Sequence, residues 1–351
     1  ETPLALAVAN GNMALVRLLV DAGASLESVS ANGSTALMEA ARAGDIDVLK
    51  HLISSKACVN VQGHDAASAL HIAIAHRNTD CALALLDARA NVSAQDKSGR
   101  TALMVAAENS LAEVMRRLVD ANADVNVQNQ DGCTPLMLVR GAVCASTLIR
   151  ARAELGLRNA RGDTALTMAA AQGRSALVKV LLTANASPHE ANGENETALK
   201  LALKNGYSDI VQLLGHAADE HGDTALMIAA SACDIDTVNV LIAAGVPLDA
   251  KNCEGKTALL FAVTKGHNAV VQLLVDAGAR VDIADRQGDT PLSTAARAGA
   301  ADVVHILVSA GESTLATDAT VPLLLMHALE KEQDSVVRVL ATVVDRNGDT
   351  A

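Results

Sequence analysis

The sequence predicts an all-α solenoid of stacked antiparallel helix pairs. Three observations carry that expectation. A six-residue motif recurs at a nearly fixed interval, a second apolar run follows each copy, and aromatic side chains are almost absent. TPLALA at Thr2 returns as TALMEA (Thr35), SALHIA (Ser68), TALMVA (Thr101), TPLMLV (Thr134), TALTMA (Thr164), TALKLA (Thr197), TALMIA (Thr224), TALLFA (Thr257) and TPLSTA (Thr290). A degenerate copy, LLLMHA, starts at Leu323, and TA begins again at Thr350. The intervals are 33 residues except for one of 30 (Thr134 to Thr164) and two of 27 (Thr197 to Thr224, Leu323 to Thr350).

Each part of a unit has a physical reading. Thr or Ser is a helix N-cap, its oxygen accepting a backbone N–H of the first turn. Pro or Ala follows where a missing N–H costs nothing. The Leu and Ala of the motif, such as Leu103 and Ala106, lie on one helical face. Gly nine residues after the Thr (Gly44, Gly173, Gly206, Gly266, Gly299) is placed to end this first helix in a left-handed conformation. The second run, LVRLLV at Leu15, LVKVLL at Leu177, VVQLLV at Val270 or VVHILV at Val303, fits an antiparallel second helix. An extended stretch such as DVNVQNQDG (Asp124–Gly132) then leads to the next Thr, its Asp/Asn and Gly suiting a tight hairpin.

One such pair cannot bury both faces, so units must stack into a continuous core. Cores usually draw area from aromatic rings. With one Phe, one Tyr and no Trp, this core is built from Ala, Leu, Val and Met, which lets thin helical layers approach closely.

The motif and its period resemble the ankyrin repeat, T-P-L-H-x-A at 33 residues. The resemblance covers the whole chain as one array, 1–351, with units beginning near 2, 35, 68, 101, 134, 164, 197, 224, 257, 290, 323 and 350. It opens on ETPLALA and closes on DRNGDTA, in mid-repeat at both ends, and is expected to be a fragment of a longer protein. The family's motif His occurs once, as His71. Met38, Met104, Met137, Met227, Leu260, Ser293, Thr167 or Lys200 stands there elsewhere, and the methionines are expected to act as packing.

The irregular intervals predict local departures. Three residues are lost before the second helix of the Thr134 unit, close to one helical turn. Six are lost after the second helix in the Thr197 and Leu323 units, so shortened fingers are expected near 215–223 and 341–349. Ala66 stands where the turn usually has Gly, and the Leu323 copy is expected to be the least regular.

Chemistry is sparse. The cluster GHAADEHGD at Gly215 contains two His, two Asp and one Glu, yet Asp219 recurs in sibling turns as Asp96 and Asp285, Asp223 recurs as Asp163, and Gly222 recurs as a Gly two before the Thr. A structural or catalytic zinc needs about four ligands with a supporting second shell, and the expected reading is a solvated turn. No Walker loop, nucleophile elbow, H-E-x-x-H or kinase signature occurs. His51, His76, His267 and His305 are expected to be structural or solvated, and no cofactor or catalytic activity is expected. The six scattered cysteines, without C-x-x-C, suit reduced thiols inside the cell. A net charge of −12 argues against nucleic acid, and no apolar run is long enough to span a membrane. The arginine-rich segment Arg140–Arg161 (five Arg, one acid, net +4) precedes an acidic one, Glu190–Lys256 (eleven acids, four Lys, net −7). Such polarity would steer a partner's approach.

The ankyrin resemblance implies a non-catalytic protein-interaction scaffold, a monomeric array binding a protein or peptide along its concave face of fingers and first helices. By the family's pattern the facing positions are −4, −3 and −1 before the motif Thr and +7 and +8 after it. Here these are Asn32, Arg42, His64, Lys97, Arg100, Glu108, Asp131, Arg161, Asp163, Glu194, Glu196, Lys204, His221, Asp223, Glu254, Lys256, Lys265, Arg286 and Asp289. The alternatives are an ankyrin arm of a larger enzyme, channel or ubiquitin ligase, or a part of a cytoskeletal assembly; a cytoplasmic location is expected. The family also knows asparaginyl hydroxylation at the finger position held by Asn60 and Asn126, where the simpler expectation is an Asn bonded within its own turn.

Overall fold

In the computed structural model of the chain, residues 2–30, 33–311 and 320–346 are described. They form helix pairs in chain order: α1 Pro3–Ala9 with α2 Met13–Asp21, α3 Ala36–Ala43 with α4 Ile46–Ser54, α5 Ala69–Ala75 with α6 Thr79–Asp87, and α7 Ala102–Glu108 with α8 Ala112–Asp120. Next come α9 Pro135–Leu138 with α10 Ala142–Arg150, α11 Ala165–Ala171 with α12 Ser175–Thr183, α13 Ala198–Lys204 with α14 Ser208–Gly215, and α15 Ala225–Ala232 with α16 Ile235–Ala243. The last are α17 Ala258–Lys265 with α18 Asn268–Asp276, α19 Pro291–Arg297 with α20 Ala301–Ala310, and α21 Thr320–Glu330 with α22 Asp334–Arg346. None of the described helices is long and apolar enough to cross a membrane.

The chain divides into two compact units, Glu1–Ala186 with Glu190–Ala198, and Ser187–His189 with Leu199–Ala351. Within the first, α3 packs on α5, α5 on α7 and α7 on α9, while α4, α6, α8, α10 and α12 form the second row. The second unit repeats the arrangement, with α15 on α17 and α17 on α19. The motif residues explain why. Ala102, Leu103, Ala106 and Ala107 are buried, as are Val114, Met115 and Leu118 of the facing helix. Small alanines at the contact allow the helices close together, and burial of the Leu, Val and Met side chains contributes about 1.5–3 kcal/mol each.

Thr2, Thr35, Ser68, Thr101, Thr134, Thr164, Thr224, Thr257 and Thr290 cap their helices as the motif implies, and the reciprocal partner is a finding. Thr35 Oγ1 accepts the Met38 N–H while Met38 Sδ accepts the Thr35 N–H at 3.5 Å. Met137 and Met227 do the same for Thr134 and Thr224. His71, Thr167 and Ser293 fill that role through Nδ1 or a hydroxyl. Those methionines therefore close a capping box besides packing, which their apolar character did not reveal.

The expected hairpins are minimal. Single antiparallel bridges join Gln62 to Ser68, Gln95 to Thr101, Ala191 to Thr197 and Ala218 to Thr224. Ala66 takes the left-handed conformation its glycine siblings use, at φ 55°.

The irregular units resolve differently. The 30-residue unit lost a turn of its first helix: α9 has four residues, and Val139 leaves it in an extended conformation. In the 27-residue Thr197 unit the finger turn itself survives, closed by the Ala218–Thr224 bridge. The six lost residues come from the helix end and the connection after it, so the expectation of a stunted fingertip is corrected. Gly215 explains how this fits. A Cβ there would lie 2.5 Å from Val246 Cγ1, whereas Leu86 or Val119 stands at the same place in longer units. The Leu323 copy departs most. Its helix starts by Thr320, so Leu323 lies inside it, and α22 continues through Arg346 where a finger was expected. The Ala-Val run of α22 keeps helical periodicity with no glycine before Gly348 to stop it; residues 347–351 lie outside the described region.

Candidate interaction groove

Seven of the described fingers are built on an Asp or Asn five positions before the motif Thr. Asp96 Oδ1 accepts the N–H groups of Ser98 and Arg100, both at 2.9 Å. Asn129, Asn159, Asn192, Asp219, Asn252 and Asp285 repeat this two-fold acceptance. A left-handed glycine follows, such as Gly162, where a Cβ would also meet Gly193 N at 2.6 Å. That glycine meets both demands, a positive φ and a close backbone approach.

Successive fingers are linked by the backbone. In the first unit Lys97 N–H donates to Asp65 O (2.8 Å), Gln130 to Ser98 (3.1 Å), Ala160 to Asp131 (2.8 Å) and Gly193 to Arg161 (2.9 Å). In the second, Cys253 donates to His221 (2.8 Å) and Arg286 to Glu254 (2.9 Å). Within each unit these backbone bonds hold the linked tips in a row. Asn60 and Asn126 add to this linkage. Their Oδ1 atoms accept the N–H of Asn91 (2.7 Å) and Glu154 (2.9 Å) in the following repeat, so the expectation of a bond within their own turn is corrected.

The residues singled out from the sequence fall into two groups. Arg42, His64, Lys97, Asp131, Arg161, Glu194, Lys204, His221, Glu254, Lys265 and Arg286 are exposed. Those directly before the motif Thr are half-buried or buried and are engaged in the scaffold. Asp163, 8% exposed, accepts from Asn192 Nδ2 at 2.9 Å, and Asp223 accepts from Asn252 Nδ2 at 2.7 Å. Asp289 pairs with Arg297 at 2.5 Å and Lys256 with Glu254 at 2.7 Å. Glu196 is half-buried with its N–H on Asn192, and Asn32 lies outside the described residues.

Arg100 and Glu108 are brought together, the guanidinium lying 2.8 Å from Asp96 and 3.4 Å from Glu108. Burial disfavours the charge of Asp96, but the hydrogen bonds from Arg100 and Ser98 hold its carboxyl below the usual range. Beside them burial pushes the pKa of His71 down, more than the hydrogen bond to Arg100 O raises it, so the ring is neutral at neutral pH. Its Nε2–H donates to Arg100 O at 3.1 Å and Nδ1 faces Ser68 Oγ at 2.9 Å.

These groups line a 170 Å³ cavity in the first unit, together with Ala67, Ile72, Ala75, His76, Val105 and Asn109. The sequence reading had not singled out Ile72 and Val105. They lie four residues after the motif Thr, a position held elsewhere by Leu6, Leu138, Met168, Leu201, Ile228 and Phe261, with Glu39 and Thr294 as departures. Leu6 and Ile228 are 43% and 38% exposed. Val105 and Leu201, 4% and 9% exposed, are core; an apolar residue beside buried Leu and Ala reads as core throughout, which is why this row was missed. Its signal was one more apolar residue per helix than one buried face needs.

Other candidates disperse. His216 Nδ1–H donates to Gln212 O at 2.7 Å, while His221 and Glu220 stand exposed 3.7 Å apart. The described residues contain no group of three or more His, Cys, Asp or Glu placed to hold a metal ion. In the arginine-rich segment Arg158 pairs with Glu190 at 3.0 Å. Arg174, from the following repeat, reaches into the gap left by the short α9, its Nη1 donating to Val139 O at 2.6 Å. Burial and then the neighbouring Arg140 lower its pKa.

The family model described as ankyrin repeats (3 copies) matches residues 1–63, 59–129, 103–192, 136–224, 173–252 and 226–318. Among solved structures, the ankyrin repeat domain of Bcl-3, a member of the IkappaB family, is 27% identical, covering 60% of this chain and 98% of that one, with a TM-score of 0.54. The human ASB11 ankyrin repeat domain is 23% identical over 60% of this chain and 97% of that one, also at 0.54, a likeness of fold. A chain from the complex of the Bdellovibrio bacteriovorus predatory endopeptidase Bd0816 with immunity protein Bd3460 is 30% identical, over 52% of this chain and 98% of that one, with a TM-score of 0.48. No curated protein sequence matches the chain.

Proposed function

Because the chain belongs to the ankyrin repeat family, we propose that it is a non-catalytic scaffold that binds a protein or peptide along its finger-and-first-helix face. The observation that supports this most is the shared cavity, where residues −1, +4, +7 and +8 of consecutive repeats meet on one surface. The exposed side chains of that surface change from repeat to repeat, from Lys97 to Asp131, Arg161 and Glu194, over turns of constant geometry. Variable side chains on a pre-formed scaffold bind with little loss of conformational freedom.

Charge reversal on the tips, Lys97→Glu, Asp131→Lys, Arg161→Glu and Arg286→Glu together, tests the reading. A control set alters exposed Lys50, Lys179 and Gln272 on the second helices. The tip variant is expected to lose captured partners in affinity purification with its helicity unchanged. Loss in the control set with retention in the tip variant would place binding on the opposite face.

A further inference from the structure

Resting on that reading, we propose that the first unit's groove takes a peptide carrying a Lys or Arg together with a branched aliphatic residue, at adjacent subsites formed by Glu39 and by the Ile72–Val105 cavity. Two independent features carry this. The cavity of 170 Å³ has Ile72, Ala75 and Val105 in its walls, with Arg100, Glu108 and Asn109 around them. It is smaller than the 300–1,000 Å³ typical of a small-molecule site, and close to the roughly 150 Å³ engineered cavity that holds one benzene. One aliphatic side chain is what it has room for.

The second feature is Glu39, at the same register as Ile72 in the preceding repeat. Its side chain is 15% exposed, and Oε2 lies 3.3 Å from Arg42 Nε. Oε1 is buried and receives no hydrogen bond. A buried carboxylate oxygen without a donor is costly, and the acid stands in a row otherwise apolar from Leu6 to Phe261, where its ion-pair partner is Arg42 of its own helix. The carboxylate as a whole is 15% exposed, and an ammonium or guanidinium of a bound peptide meets it there with the opposite charge and a hydrogen-bond donor. Helix layers lie about 8–10 Å apart and an extended peptide advances about 3.3 Å per residue. The cavity between the Ile72 and Val105 helices lies about one and a half layers, roughly 12–15 Å, from Glu39, so the basic and aliphatic residues are about three to five positions apart.

The test uses the whole chain as bait for a displayed library of random twelve-residue peptides. The most enriched peptide is then synthesised with a fluorescent label and titrated by anisotropy. Enriched peptides are expected to share a basic residue three to five positions from Leu, Ile or Val. Glu39→Gln, which keeps shape and removes charge, is expected to weaken binding about tenfold. Ala75→Leu, which fills the cavity, is expected to do the same, with thermal melts showing both variants folded. Failure to enrich any peptide, enrichment without a basic residue, or less than a twofold change for Glu39→Gln overturns the inference. If affinity falls for Ile228→Glu in the second unit but not for these variants, the inference fails while the finger-face reading stands. If only the Lys50, Lys179 and Gln272 set abolishes binding, both fail.

Discussion

Arg174 caps Val139 across two repeats: the guanidinium donates at 2.6 Å to a carbonyl that the shortened α9 leaves without a helical partner. Val139 is fully buried, so that oxygen has little access to water. Asn78 on Ala41 O and His267 on Ser231 O make comparable bonds at the same register, but to first helices of full length. Arg174 has the reach to close a gap of one turn. Its replacement by Ala is expected to cost about 1–3 kcal/mol, the usual penalty for a stranded buried acceptor. Urea denaturation checks this, and inserting three residues to restore a 33-residue unit should recover most of the loss.

Acid should loosen the His71 repeat. The folded pKa of His71 is depressed, so the unfolded chain binds more protons between the folded value and about 6.5. The neutral ring's stabilisation is complete above about pH 6.5 and is lost progressively as pH falls towards the folded value. His189, buried with its Nε2–H on Asp223 O, adds a contribution of the same sign in the second unit. His71→Met, copying Met38 and Met137, should be within about 1 kcal/mol of wild type at pH 8, because the thioether accepts the cap N–H and Arg100 O keeps its bond from Asp96 N. At pH 5.5 the variant should show a smaller acid-induced loss than the parent. Equal pH slopes in thermal melts would disprove the assignment.

Gly215 is expected to tolerate nothing larger. Ala there brings Cβ against Val246 Cγ1 and Leu241 Cδ2. Overpacking of this kind costs about 1–3 kcal/mol. Gly215→Ala combined with Val246→Ala should cost less than the sum of the single changes, and a double-mutant cycle measures the difference.

Thiol labelling should sort the cysteines by environment. Cys81 is buried and its pKa is raised to about 11, chiefly by burial, while Cys133 and Cys144 are buried and also raised. Thiolate is the reactive form. Iodoacetamide at pH 8 should modify Cys58, Cys233 and Cys253 first, with the other three reacting only after unfolding, as peptide mass spectrometry would show.

The repeat, the caps and the shortened α9 were legible because each rests on local chemistry: Thr before Pro or Ala, Gly at a left-handed turn, a deletion of one helical turn. The groove was half legible. Lys97 and Arg161 are exposed tips as their turn position implied, but Asp163 and Asp223 are drawn inward by Asn192 and Asn252, partners 29 residues away. Such contacts between repeats have no signature in a single unit. Ile72 and Glu39 were missed for the opposite reason: only the stacking of the next repeat decides whether a residue beside the core is covered. The thioether caps of Met38 and Met227 escaped notice because Met is seldom read as an acceptor.

The turns carry a last consequence. Lys56, Ala66, Arg77, Arg89, Ser110, Arg152 and Cys233 hold left-handed conformations that sibling repeats give to glycine. Left-handed backbone costs a non-glycine residue about 1–2 kcal/mol, so the chain operates well below the stability its own pattern allows. Of these residues, Lys56, Arg89 and Arg152 follow second helices, away from the groove. Converting two or three of these residues to glycine would let the groove accept otherwise destabilising substitutions, and so be redirected to new peptides without loss of the fold.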